Sequence, residues 1–400
     1  MDFAYDQTTE DHLERLAEFM ESHIYPAEPH FTEEVAWERP PIMAELRAEA
    51  RSRGLWNLFL PKDHGGTLTT LQYAPLAEMS GRSPLIAPES MNCAAPDTGN
   101  MELLTLAATP AQREQWLEPL LDARIRSAFS MTEPEVASSD ASNIATRAVR
   151  KGGEYVIDGR KWWTSGAMSS DCKIFIVMAV TDPGAPPRGR YSMLLVPRGT
   201  PGMHIKRGMR VFGYTDGTHG GHAEIVFDGV RVPAANLLGE EGQGGALAQA
   251  RLGPGRVHHC MRLVGMAERA FELMCKRAAG RTTFGRPLAE HGAVEGWIAD
   301  ARVRIDQLRL LVLHAAWMID KHGAKAARRE ISAIKIAAPE TAGWVVDKAI
   351  QVHGAGGVSQ DYPLAMLWAG ARGLRFADGP DEVHKMVLAR REIARVAGRS

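Results

Sequence analysis

The sequence predicts an α+β fold in three consecutive segments, helical over 1–124, antiparallel β over 125–235 and helical again over 236–400. Three observations carry this reading. Near the start, Leu13, Leu16, Phe19 and Met20 recur at helical spacing, and Arg39-Pro-Pro41 punctuates short helices. Between about Ile125 and Pro233 the apolar runs shorten to strand length: Tyr155-Val-Ile, Ile174 to Val180, Ser192 to Val196 and Ala223 to Phe227, joined by Gly, Pro and Asp loops. With no helical stretch between these strands, antiparallel pairing is expected throughout. From Gly244 the helical period returns, with Val257, Met261, Val264, Phe271 and Met274 on one face, and further helices are expected over 288–322, 329–352 and 381–397.

Composition excludes several classes. Lys+Arg 47 against Asp+Glu 48 leaves a formal net charge of −1, so no global field draws the chain to nucleic acid or an anionic membrane. The apolar run Leu310 to Ile319 is interrupted by His314 and falls short of the roughly 20 residues a membrane span needs. Residues 1–24 are acidic and polar, without a signal or leader pattern, so a soluble cytoplasmic enzyme is expected. Cys93, Cys172, Cys260 and Cys275 lie far apart with no C-x-x-C, which argues against zinc and disulfides and for buried thiols. His258, His259 and His384 show no H-x-x-x-H spacing, and no metal site is expected.

The chemistry concentrates in two runs, Met131-Thr-Glu-Pro-Glu-Val-Ala-Ser-Ser-Asp140 and Lys161-Trp-Trp-Thr-Ser-Gly166. Hydroxyl-bearing loops beside paired tryptophans can bond the rim of a large planar ring and stack on its face, which suits a flavin. Three more runs follow in order: Arg281-Thr-Thr-Phe-Gly285, Gln351-Val-His-Gly-Ala-Gly-Gly357 and Asp378-Gly379. Together the five resemble the acyl-CoA dehydrogenase family over nearly the whole chain. Asp378-Gly-Pro-Asp-Glu-Val-His384 is similar to the branch of family members ten and eleven, which carries Asp where most of the family has Glu.

The resemblance implies the family fold, with an N-terminal α-helical domain, a middle β-domain and a C-terminal four-helix bundle, and FAD between helices and β-domain. It implies that an acyl-CoA thioester loses its α-proton to Asp378 and a hydride from its β-carbon to the flavin, giving a trans-2-enoyl-CoA, with electrons passed on to an electron-transferring flavoprotein. Phe129, Met131, Thr132, Trp163, Thr164 and Ser165 match positions around the flavin ring, and Ser138 or Ser139 matches the serine near the pyrophosphate. Arg281, Phe284, Gln351, Val352, Gly354, Gly356 and Glu382 match groups around FAD, the Arg281 and Gln351 motifs serving the cofactor of a neighbouring subunit. That implies a homodimer or homotetramer. Ser139, Arg256 and Gly379 match the substrate side. Some family members carry the base on the helix before Arg256, but Gly253-Pro-Gly-Arg256 has no carboxylate.

Each assignment has a plainer alternative. Asp378 can cap the helix beginning near Pro380, Arg281 can close a helix C-terminus, and Thr132 and Ser165 can be strand-end hydroxyls. Trp162, as the strand neighbour of Trp163, is expected to face the β-core. Among functions, acyl-CoA oxidase and nitroalkane oxidase share the fold, and a non-catalytic DNA-binding relative would be expected to carry a basic extension.

Overall fold

A computed structural model describes residues 4–31, 37–62 and 65–398. By its contacts the chain divides into two compact units, one formed by Met1–Tyr25, Leu68–Pro88 and Arg256–Ser400, the other by Pro26–Thr67 and Glu89–Gly255. The N-terminal helical segment is thus shared between the two units.

The second unit is built on one sheet. Its strands are β1 (Arg126–Ser130), β2 (Arg147–Lys151), β3 (Glu154–Ser165), β4 (Cys172–Val180), β5 (Tyr191–Pro197), β6 (Met203–Met209), β7 (His222–Pro233) and β8 (Leu237–Leu238), in the order β6-β7-β3-β2-β4-β5-β8 with β1 also on β4. The sheet is mixed, which corrects the wholly antiparallel expectation: β1 runs parallel to β4 from Arg126↔Cys172 to Ser130↔Val177, and β2 meets β4 in one parallel pair. A parallel pair needs a long crossover, usually a helix. Here the chain makes that crossover through β2 and β3, so the absent helix did not exclude it. Ile174 to Ala179 and Met193 to Val196 are wholly buried, which is why these runs read as continuously apolar rather than alternating. Beneath the sheet, Arg126 is buried against Glu89 and Asp97, both at 2.9 Å, and Arg39 and Arg47 converge on the same Glu89. Burial opposes charge at Glu89, yet the three guanidiniums hold its carboxyl well below the usual range.

In the first unit, helices Gln7–Phe19, Thr70–Ser80, Gly292–His322, Arg328–His353, Leu364–Gly373 and Asp381–Val396 join the part of the long helix Gly244–Gly280 that follows Arg256. The helix Leu364–Gly373 was not anticipated from periodicity. Thr70–Ser80 begins at a capping box between Thr69 and Gln72, and Asp320 accepts from the Thr70 and Leu71 N–H groups at 2.8 Å. Glycine sets how closely it meets the long helix. A Cβ on Gly265 would lie 1.8 Å from the Glu78 carbonyl oxygen, and one on Gly81 would lie 2.2 Å from that of Arg262. Gly265→Ala is therefore expected to force the helices apart and to cost about 1–3 kcal/mol. A thermal melt checks this; an unchanged midpoint would mean the backbones do not touch there.

Candidate active site

Each compact unit carries its own cluster of chemistry-bearing groups. In the sheet unit, the 131–140 loop is closed onto β3 by a buried ion pair. Lys161, wholly buried, donates from Nζ to Glu133 Oε1 at 2.8 Å and to the Met131 carbonyl at 2.9 Å, and the Trp162 N–H donates to the Thr132 carbonyl at 3.0 Å. Glu133 also accepts from the Ala145 and Thr146 N–H groups at 2.7 and 2.9 Å. Burial pushes its pKa up, but Lys161 and these donors outweigh that and hold it below the ordinary carboxylate range. Burial lowers the Lys161 ammonium to about 8, the attraction of Glu133 offsetting only part of the loss.

The register of β3 slips between Lys161 and Thr164, and Trp163 sits at φ +50°. Strict alternation therefore fails. Lys161 and Thr164 are the wholly buried pair, Trp162 is half-buried and Trp163 is 39% exposed. Trp162 is therefore not the core residue that alternation suggested. Thr164 is wholly buried in the β3–β7 ladder opposite Ala223, so its side chain is packing rather than a ligand group. The Thr132 hydroxyl, half-buried, has no hydrogen-bond partner among the described residues. Ser165 Oγ lies 2.9 Å from His222 Nδ1. Ser138 Oγ accepts from the Glu133 N–H at 2.9 Å and closes the loop, whereas Ser139 is exposed. Of the two serines, Ser139 is the one left for a ligand. Phe129, half-buried on β1, carries the Arg251 guanidinium 4.2 Å from its ring centroid.

In the helical unit the Asp378 turn is fixed from several sides. Asp378 and Gly379 both have positive φ, +57° and +104°, and a Cβ on Gly379 would lie 3.2 Å from His384 Nε2, which is why glycine stands there. Arg256 Nε donates to the Asp378 carbonyl at 2.9 Å, and His384 Nε2 reaches the same oxygen at 3.3 Å. Burial, with Arg256 and Lys335 nearby, lowers the His384 pKa to about 4, so it donates as a neutral ring. Upstream, buried Lys335 donates to the Leu374 carbonyl at 2.5 Å, and Arg375 pairs with Asp381 at 2.6 Å. The Asp378 carboxylate stands 3.6 Å from His259 Nε2. The N-cap position of Asp381–Val396 is Pro380, not Asp378, and Pro380 offers no side-chain cap. Among the described residues, no group of His, Cys, Asp and Glu has the makings of a metal site.

The remaining predicted residues lie at two turns. Arg281 is exposed just beyond the long helix, ahead of a hairpin pairing Thr282–Thr283 with Arg286–Pro287, and Phe284 at its tip is 96% exposed. Gln351 is exposed at the end of Arg328–His353, and Gly354 follows at φ +65° with Gly356 in the next turn. Val352 is buried in the helix, so its side chain is packing rather than a ligand group. Glu382 is exposed in the first turn of Asp381–Val396.

Models of the acyl-CoA dehydrogenase N-terminal, middle and C-terminal domains match residues 6–124, 128–230 and 242–393. The chain belongs to the acyl-CoA dehydrogenase family. It is 56% identical to the probable acyl-CoA dehydrogenase FadE2 of Mycobacterium tuberculosis, over 99% of this chain and 98% of that protein. It is 49% identical to acyl-CoA dehydrogenase family member 11 of Homo sapiens over 98% of its length, and spans about half (51%) of that relative. A solved structure of an acyl-CoA dehydrogenase homologue from Mycobacterium abscessus superposes with a TM-score of 0.95 at 50% identity, covering 98% of this chain and all of that one. The chain is accordingly an oxidoreductase of this family, with FAD as its cofactor.

The residues present fit that cofactor. An exposed indole flanked by the Thr132 and Ser165 hydroxyls offers a stacking face and hydrogen-bonding groups along one rim. Sequence reasoning quoted Glu133 and Lys161 inside the motifs but assigned them nothing, because no sequence signal marks a lysine as buried. It also missed His222 and Lys335, and weighed His259 only as a metal ligand; all three reach their neighbours only through the fold. Glu102 is a further surprise. It is buried with both oxygens lacking a donor among the described residues, and burial pushes its pKa up to about 8, against the pull of Arg251.

Lys161→Met leaves the Glu133 charge buried and unpaired, which is expected to cost about 3–5 kcal/mol and to lower FAD content. Glu133→Gln in the same chain should recover most of the loss. Melting midpoints and the flavin-to-protein absorbance ratio report both effects. A Lys161→Met protein with parental values would show that the pair does not hold the loop.

Proposed function

We propose that the chain oxidises an acyl-CoA thioester across its α,β-carbons to a trans-2-enoyl-CoA and hands the electrons to an electron-transferring flavoprotein. The observation that carries the reading is Asp378, set in a left-handed turn with its carbonyl held by Arg256 and His384 and its carboxylate facing His259. Fixing the peptide plane fixes the direction of the Cα–Cβ bond, which matters because Asp is one methylene shorter than the Glu common in the family. The Asp378 carboxylate takes the α-proton; its own main-chain N–H is the group the family uses on the thioester oxygen, which acidifies that proton. FAD, when bound, supplies the acceptor for the hydride leaving the β-carbon. Thr132, Ser139, Trp163 and Ser165 orient the cofactor from the sheet unit, and Arg256 and Gly379 shape the substrate side of the base.

Asp378→Asn keeps size and turn preference but cannot accept a proton. Flavin reduction by acyl-CoA should slow by about 10²- to 10⁴-fold with FAD content retained. A rate within about threefold of the parent would move the base to Glu382, since Asp381 is already committed to Arg375.

Assembly as a homodimer or homotetramer is supported by exposed apolar groups on the helical unit. Val303, Leu310 and Trp317 recur every seven residues on Gly292–His322, one stripe of one face, and Phe284 projects from its hairpin. The exposed Arg281 has no side-chain hydrogen bond among the described residues, consistent with service to a partner's cofactor. Arg281→Ala should weaken assembly and FAD retention together, followed by sedimentation and by flavin content. A stable monomer with full flavin would contradict shared binding.

A further inference from the structure

Beyond the hydroxyls at the cofactor loop, the sheet unit contains a hydrogen-bonded chain that no step above uses. His222 Nδ1 lies 2.9 Å from Ser165 Oγ, and His222 Nε2 lies 3.2 Å from Asp216 Oδ2. His219 Nδ1 meets the other Asp216 oxygen at 3.1 Å. The Trp163 ring, exposed at the same lip, stands 5.4 Å from the His222 ring.

The chain is held in place by its backbone. Asp216 has φ +54°, a left-handed conformation that is strained for a non-glycine residue, and Gly220 and Gly221 follow at +75° and +57°. The Gly166 N–H donates to the Gly221 carbonyl at 2.8 Å and the Met168 N–H to that of Gly220 at 2.8 Å, while the Gly221 N–H returns to the Asp216 carbonyl at 3.0 Å. These bonds stitch the turn to the end of β3, immediately beyond Ser165. Burial opposes charge on Asp216, but the two imidazoles hold its carboxyl well below the usual range.

A carboxylate can only accept, so His222 must turn an Nε2–H toward Asp216. In the neutral ring Nδ1 is then an acceptor and takes the Ser165 hydrogen. The Ser165 lone pairs are left facing outward. If bound FAD turned N5 toward this oxygen, the oxidised ring would set lone pair against lone pair, whereas the N5–H of the reduced ring would be a donor that Ser165 can accept. This orientation requires the neutral His222 ring, because a doubly protonated His222 would donate to Ser165 and free the Ser165 hydrogen for another acceptor.

We propose that Asp216 and His222 are positioning residues that orient the Ser165 hydroxyl toward the flavin and thereby raise the reduction potential of the bound cofactor; this rests on the reading of Ser165 as a ring contact. The test is an equilibrium redox titration of the FAD-loaded protein against a dye of known potential, with folding followed by circular dichroism. His222→Phe, which keeps an aromatic ring beside Trp163, and Asp216→Asn, which tolerates the left-handed turn, should each shift the reduced-to-oxidised ratio about tenfold toward oxidised, roughly 30 mV for a two-electron couple. Ser165→Ala should shift it as far, Ser165→Thr should retain the parental potential, and Ser165→Ala with His222→Phe should add nothing to either single change. A shift with Ser165→Ala but none with His222→Phe or Asp216→Asn, or a double variant whose shifts sum, would overturn the relay while leaving Ser165 at the flavin. No shift with Ser165→Ala would overturn both.

Discussion

The 131–140 loop is closed onto the end of β3 by one buried ion pair, Lys161 with Glu133. Without it, the 131–140 loop would have the Met131 carbonyl and the Ala145 and Thr146 N–H groups to satisfy by other means. With it, Thr132 and the Trp163–Ser165 end of β3 are joined through a carboxylate that accepts from three donors at once, one ammonium and two backbone N–H groups. Buried pairs seldom add net stability over an apolar replacement, but losing one partner is severe. What the pair supplies here is a defined geometry, with the Thr132 hydroxyl and the Trp163 indole kept at the surface of a segment that is otherwise packed.

The helical unit solves a related problem with backbone conformation. A short acidic side chain must be held at a set angle, and the left-handed pair Asp378–Gly379 sharply reverses the chain to do so. Arg256, His384 and Lys335 act on carbonyls of this segment, leaving the Asp378 carboxylate itself opposite His259. Arg256 and Lys335, which tether the turn, also act on the Asp378 carboxylate, so the same two residues set both its position and its charge environment.

Much of this was legible before the fold was known, and the failures have specific causes. Long amphipathic helices announced themselves through period, but Leu364–Gly373 is short, follows Pro363 and carries no clear polar face, so periodicity had little to register. Strand existence was readable, whereas the parallel pairing of β1 with β4 was not, because the crossover is made of strands. Alternation misplaced Trp162 since a bulge intervenes, and it gave no hint that Lys161 would be interior. Motif matching named Thr132, Ser165, Arg256 and Asp378, and it treated Thr164, Ser138 and Val352 as equals of their neighbours. Only burial and hydrogen bonding separate side chains that close a turn or fill a core from those left to meet a ligand. His222 and Asp216 lie more than fifty residues from Ser165 in a Gly-rich turn, and no local pattern ties them to it.

The central claim is that this chain removes one proton and one hydride from adjacent carbons of an acyl-CoA. The most direct measurement is anaerobic mixing of the FAD-loaded protein with straight, branched and hydroxylated acyl-CoAs, recording flavin absorbance and the mass of the thioester product. The account predicts bleaching by at least one of them, with one 2-enoyl-CoA, two hydrogens lighter than its substrate, formed per flavin reduced. Flavin that stays oxidised across the whole panel, or bleaches without that loss of two hydrogens, would contradict it.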